Sequence, residues 1–152
     1  MNIVLEEGAY LPERAHDTDA GLDLRARETK TIYPTPAKMT ATYRTSEQPD
    51  NSATFDTGVH IELPHGWYGK IESKSGLNVN HGIVSCGGVI DEGYVGSIAV
   101  KLYNLSGEPY TVQAGDKIAQ LVIMPYIAPE LEVVNELEST SRGTNGFGST
   151  GR

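Results

Sequence analysis

The chain reads as an all-β protein, and three features point there. Short β-rich runs recur along it, turn signals separate them, and no window sustains a helical period. Its 17 glycines and 8 prolines are scattered through the 152 residues. Many short strands at this spacing build a sandwich, a jelly roll or a barrel. The length suits one domain with a hydrophobic core of its own.

Taken in order, the runs are residues 3–5, 32–33, 58–63, 67–71, 83–90, 97–103, 110–112, 118–127 and 131–134. Before the second run, Leu22 and Leu24 alternate with Asp23 and Arg25, the pattern of an edge strand whose charges face solvent. Val59-His60-Ile61-Glu62-Leu63 alternates in the same way, as a half-buried strand does. Leu63-Pro64-His65-Gly66, Ser106-Gly107-Glu108-Pro109 and Ala114-Gly115-Asp116 mark turns. A single helical turn is expected over 77–81. Residues 34–56, rich in Thr, Pro, Ser and Asn, read as a long exposed loop. Such a loop is either a tolerated insertion or a docking surface for a protein partner.

Composition narrows the function. A net charge of −8 argues against broad contact with nucleic acid, which needs a basic face. An acidic protein that binds a polyanion needs a divalent cation and a few placed Lys and Arg residues. The lone Cys86, beside Val84, is expected as a small core residue, and no disulfide framework is possible within the chain. The N-terminus is too short and too acidic to read as a signal peptide, and no apolar run reaches membrane-spanning length. A cytoplasmic setting is the default, or a host cytoplasm for a viral chain.

Four stretches carry candidate chemistry. Residues 87–98, with glycines at 87, 88, 93 and 96, join the apolar runs 82–84 and 98–102 and suggest two strands closed by a tight turn. Asp91 and Tyr94 stand at that turn, and the bare glycine backbone lets a ligand approach. This is the expected floor of a small-molecule pocket, with Asp91 as acid or base. At Lys74-Ser75-Gly76 an ammonium, a hydroxyl and backbone N–H groups come together, which suits a phosphate oxygen or marks an ordinary turn. Gln120 sits among apolar neighbours and needs either a backbone partner or a ligand. The tail carries Arg142 and one phenylalanine, Phe147, between glycines, which suits a disordered end or a lid that stacks on a base.

The stretches AGLDLRA at 20–26, KSGL at 74–77, GGVIDEGYVG at 87–96, GDKIAQL at 115–121 and RGTNGFGSTG at 142–151 occur together and in this order. On these residues the chain resembles the trimeric deoxyuridine triphosphatases (dUTPases). The resemblance spans nearly all of the sequence outside 34–56. It implies a jelly-roll-like distorted barrel or sandwich over residues 1–137, with 34–56 inserted and a flexible C-terminal arm, 138–152, that closes an active site.

The implied reaction is Mg²⁺-dependent hydrolysis of dUTP to dUMP and pyrophosphate in a homotrimer whose sites are shared between subunits. It would keep uracil out of DNA and supply dUMP for thymidylate synthesis. By matching positions, Asp91 is the base for the attacking water and Tyr94 packs under the deoxyribose, where a 2′-OH would clash. Backbone groups of Gly88, Val89 and Ile90 read the uracil, with Ser85 and Ala99 nearby in the substrate site. Lys74, Ser75, Gly76 and Gln120 serve the phosphates and the water. Phe147 stacks on uracil, Arg142, Gly148, Ser149 and Thr150 hold the outer phosphates, and Asp23 touches the metal through water. Lys74 stands where the family commonly has arginine, so the planar fork of a guanidinium is missing. Two rival readings are a dCTP deaminase of related fold and a regulatory protein acting through the 34–56 loop.

Overall fold

The computed structural model describes residues 1–34 and 50–144. Eleven strands and one short helix are present among them: β1 (Asn2–Leu5), β2 (Gly21–Arg25), β3 (Lys30–Ile32), β4 (Ser52–Asp56), β5 (Val59–Glu62), β6 (Trp67–Ser73), α1 (Ser75–His81), β7 (Ile83–Ser85), β8 (Val89–Ile90), β9 (Ala99–Asn104), β10 (Tyr110–Val112) and β11 (Lys117–Pro125). All pairings are antiparallel. A four-stranded sheet runs β2-β11-β6-β8 and a three-stranded sheet runs β4-β9-β7. The pairs β1-β5 and β10-β3 complete a jelly-roll-like β fold, and no sheet closes into a barrel.

The core lies where the inward faces of these sheets meet. Strand β9 shows the alternation best, with Val100, Leu102 and Asn104 all buried and Lys101 outside. Phe55, Ile83, Ile98 and Leu121 close around them. Burying the Phe55 ring contributes about 2–3 kcal/mol. That residue corrects the sequence reading of 34–56 as one exposed loop. Residues 52–56 form β4 along β9, with Phe55 fully buried, because one aromatic at an inward position outweighs a polar flank.

Other expectations also shift. The run 83–90 is two strands, since the chain leaves β7 at Ser85 and joins β6 as β8. The runs on either side of 87–98 do pair as expected, β7 with β9, but no tight turn closes them: the stretch between crosses from one sheet to the other. Cys86 lies in that crossing and is exposed, not in the core. The run 131–134 pairs with no strand among the described residues and is exposed. The helix starts two residues before the expected turn and stops at Gly82. That residue takes a left-handed φ of 65° while its N–H reaches Asn78 O.

Asn104 is the one amide among the inward residues of β9, and it is fully buried. Its Nδ2 donates to Ile32 O at 2.9 Å and to Glu108 O at 2.8 Å, while Oδ1 accepts from Ser106 N at 2.9 Å. The side chain thereby closes the 105–109 turn onto β3. Asn104→Ala is expected to lower stability by about 2–4 kcal/mol, because these backbone groups lose their partner in a dry site. A drop in the urea midpoint with unchanged slope checks it.

Candidate active site

The expected site residues gather in two clusters positioned by β6. In the first, β11 lies between β2 and β6, so that Gln120 stands opposite both Asp23 and Glu72. Asp23 is only 2% exposed, which overturns the reading of it as a solvated edge charge. It stays on the sheet face expected for it, but neighbouring side chains cover it. Lys74, just past β6, donates to its Oδ1 at 2.8 Å, and Gln120 Nε2 approaches the same oxygen at 3.4 Å. Lys117 Nζ lies 2.6 Å from Oδ2, a charge contact whose angles fall outside a directed hydrogen bond. Burial alone would raise the carboxyl, but the close ammoniums of Lys117 and Lys74 outweigh it and hold Asp23 below its ordinary value.

Lys117 was not among the residues singled out from the sequence. On a regular strand it would face away from Gln120, three positions on. A register shift between Lys117 and Ala119 adds one residue to β11, and a bulge of this kind re-aims the side chain before it. Gly21 is explained here too. A Cβ there would stand 3.0 Å from the Gln120 Cβ, so the glycine makes room for the amide.

The second cluster follows β8. Ile71 N donates to Gly88 O at 3.3 Å, and Gly87 is pressed so closely on Ile71 that a Cβ has no room. Gly88 and Gly93 face open space, as does Gly76 at the start of α1. Asp91 is exposed, and its carbonyl accepts from Tyr94 N at 2.9 Å. The Tyr94 ring folds over Gly96, where a Cβ would come within 2.5 Å of the phenolic oxygen, and its hydroxyl donates to Ser97 O at 2.9 Å. Tyr94 is 45% exposed and faces outward as a wall.

Two carboxylates that the sequence did not single out fasten this turn from either side. Glu92 pairs with His65 Nδ1 at 2.8 Å and accepts from Gly66 N at 2.8 Å and Tyr126 OH at 2.9 Å. His65 first, then Gly66 and Tyr126, bring its pKa down to about 2. Asp56 accepts from Ser97 Oγ and Arg27, and from Gly58 N at 3.3 Å. The hydroxyl of Ser97 is the main cause of its lowered pKa. Ser73, also missed, binds Ser85 through their hydroxyls at 3.0 Å and through Ser85 N at 2.9 Å.

The remaining expected residues are not drawn into either cluster. Ser75 is exposed on α1, and Ala99 starts β9 opposite Asp56, in the other sheet. Arg142 is exposed near the end of the described residues. Phe147, Gly148, Ser149 and Thr150 lie outside them.

An exposed carboxylate thus stands beside an outward tyrosine and open glycine backbone, with two ammoniums held on the same domain. Comparison with known proteins gives the family. The dUTPase family profile matches residues 38–151. A deoxyuridine 5′-triphosphate nucleotidohydrolase of Clostridium novyi is 42% identical over 99% of both chains. That of Solanum lycopersicum is 40% identical over 97% of this chain and 78% of its own. Among solved structures, the dUTPase of Staphylococcus bacteriophage 80alpha with dUpNHpp superposes with a TM-score of 0.81 at 30% identity, covering 99% of this chain and 98% of that one. A phage phi11 dUTPase that reveals coordination of a structural Mg(II) ion gives 0.74 at 30% identity, over 89% and 96%. The chain belongs to the dUTPase family.

Asp23→Asn should remove the charge that holds both lysines and lower stability at pH 7 by about 3 kcal/mol. Because the folded carboxyl sits below its ordinary value of 3.8, this contribution is full above that value and fades as pH falls through the folded one. Urea unfolding at pH 7 and pH 3 should show a gap between wild type and variant that narrows in acid.

Proposed function

We propose that the chain converts dUTP and water to dUMP and pyrophosphate with Mg²⁺, at sites assembled from neighbouring copies in a homotrimer. Membership of the dUTPase family carries the reaction. The shared site rests on one observation. Ile90, next to Asp91, pairs with Gly69, and the antiparallel register leads Asp91 away from Ser73 at the other end of β6. Gly69 to Ser73 alone is about 13 Å of extended strand. A general base works within about 3 Å of the proton it takes. Asp91 and the Ser75-Gly76 phosphate grip of one subunit are therefore too far apart to serve one α-phosphate, and a second copy brings them together.

In this reading Asp91 takes the proton of the water that attacks the α-phosphate. An ordinary Asp is charged at neutral pH but is a weak base, so alignment and neutralisation of the phosphates supply much of the rate. Gly88, Val89 and Ile90 present backbone to the uracil, with Ser85 and Ala99 nearby, and Tyr94 lies under the sugar where a 2′-OH would clash. Ser75 and Gly76 follow an N-cap, Lys74, that makes no side-chain cap, which suits a phosphate there. Gln120 orients the water or a phosphate oxygen. Arg142, Phe147, Gly148, Ser149 and Thr150 belong to the closing arm.

Among the described residues no three His, Cys, Asp or Glu side chains could cage a metal ion; in this reading the cation arrives on the triphosphate. With a magnesium triphosphate bound, Asp23 would act on it only through water, from beside the Lys74 and Lys117 ammoniums that already engage both its oxygens. When bound, Mg²⁺ neutralises the phosphate oxygens. No helix among the described residues is long and apolar enough to cross a membrane; a cytoplasmic setting is part of the proposal.

A nucleotide panel tests the reading. Pyrophosphate should be released from dUTP, with dCTP, dTTP and UTP nearly untouched; ammonia from dCTP would favour the deaminase instead. Asp91→Asn should bind dUTP while its kcat falls by at least about 100-fold, the low end for loss of a general base. Deleting residues from Arg142 onward should abolish turnover and leave the trimer intact by light scattering, and an active truncation would remove the arm from the mechanism.

A further inference from the structure

His60 sits at the middle of β5, opposite Val4 of β1, and both of its ring nitrogens face acceptors. Nδ1 lies 2.8 Å from Val95 O and Nε2 lies 2.9 Å from Glu6 Oε1. A neutral imidazole has one N–H and can satisfy only one of these contacts, whereas imidazolium donates to both. The surrounding charges favour the cation. Glu6 touches the ring, Asp56 lies nearby, and Glu62 lies two residues along the same strand face. The facing cation is Arg27, and it is engaged by Glu6 and Asp56. The ring's pKa is raised accordingly, chiefly by the Val95 carbonyl and then by Glu6.

Val95 directly follows Tyr94. Beyond Tyr94 the turn has two side-chain holds, Val95 O on His60 and Ser97 Oγ on Asp56, and the Tyr94 hydroxyl rests on Ser97 O. His60 thus grips the backbone one residue from the ring that would face the sugar. We propose that His60 is a proton-sensitive positioning residue. As an imidazolium it ties Val95 to Glu6 and holds the Tyr94 ring against ribose, and without its proton that wall loosens. The proposal rests on the reading of Tyr94 as the sugar wall. Its sign follows from the raised value: the strut is complete below the ordinary histidine pKa of 6.5 and is lost as pH rises through the folded one.

The test compares kcat/KM for dUTP and UTP on the full-length enzyme from pH 6 to pH 9. Ionisation of the triphosphate affects both substrates alike and cancels in their ratio. In wild type the preference for dUTP should fall by about 3- to 10-fold as pH rises, the effect of one lost hydrogen bond, mostly through faster use of UTP. His60→Gln should show a lower preference that does not change with pH. Glu6→Gln, which keeps the imidazole, should move the fall to lower pH. A His60→Gln or Glu6→Gln profile that copies wild type overturns the strut, as does a flat wild-type ratio. Tyr94→Ala separates the two levels. If it still rejects UTP, the sugar-wall reading fails and takes this proposal with it. If it accepts UTP while His60→Gln matches wild type, the strut alone is wrong.

Discussion

The site depends first on a carboxylate that is almost out of water. At 2% exposure Asp23 would be driven towards its neutral form, and two ammoniums from different strands keep it charged. Lys74 reaches it from the end of β6 and Lys117 from bulged β11, so one charge cluster ties β2, β11 and β6 together. The same contact has a functional side. The chain is acidic, with 12 Lys and Arg against 20 Asp and Glu, yet two cations are concentrated where a polyanion would be gripped. Asp23 restrains their rotamers, so a polyanion bound there as proposed would cost less entropy on binding. Lysine at position 74 makes this a point contact, without the two-pronged geometry of arginine.

The Asp91 turn is built on the opposite principle. Asp91 itself faces solvent, while its neighbours Glu92 and Ser97 are bound to the body of the domain. Glu92 joins the turn to the 65–66 corner and to Tyr126, and Ser97 joins it to Asp56 and through that residue to Arg27. Supporting residues of this kind let a short, glycine-rich turn hold a side chain to the tolerance that catalysis demands. Glycine and rigidity are compatible here because the glycines clear space while the flanking residues carry the bonds.

The sequence made the fold class and the family legible, because turn residues and short apolar runs are local signals and the five stretches keep their order. It was less informative wherever the third dimension decides. Asp23 alternates with leucines and looks solvated, and nothing local shows that Lys74 and Lys117 will cover it. The β11 bulge leaves no mark in GDKIAQL, so Lys117 reads as an outward lysine. Residues 52–56 looked like loop because their one strong signal, Phe55, pairs with β9 more than forty residues away. Residues 87–98 looked like a hairpin because periodicity cannot tell a turn from a crossing between sheets. Nothing local to Glu92 signals its role, because its partners at 65, 66 and 126 are distant in the chain and fasten the turn only in the fold.

The two clusters together explain why neither is sufficient. Strand β6 places Lys74, Ser75 and Gly76 past its C-terminal end and, through β8, the Asp91 turn near its N-terminal end. A strand is too stiff to fold those ends onto one another, and both are pinned by charge networks that would have to break. The separation is therefore a fixed property of the subunit, and a neighbouring copy is the simple way to close it. Under the proposed arrangement Asp91 of one subunit would face Ser75 and Gly76 of another, and hydrolysis would require the assembled protein. The rigidity that keeps these groups apart in one chain would also give the assembled site its alignment.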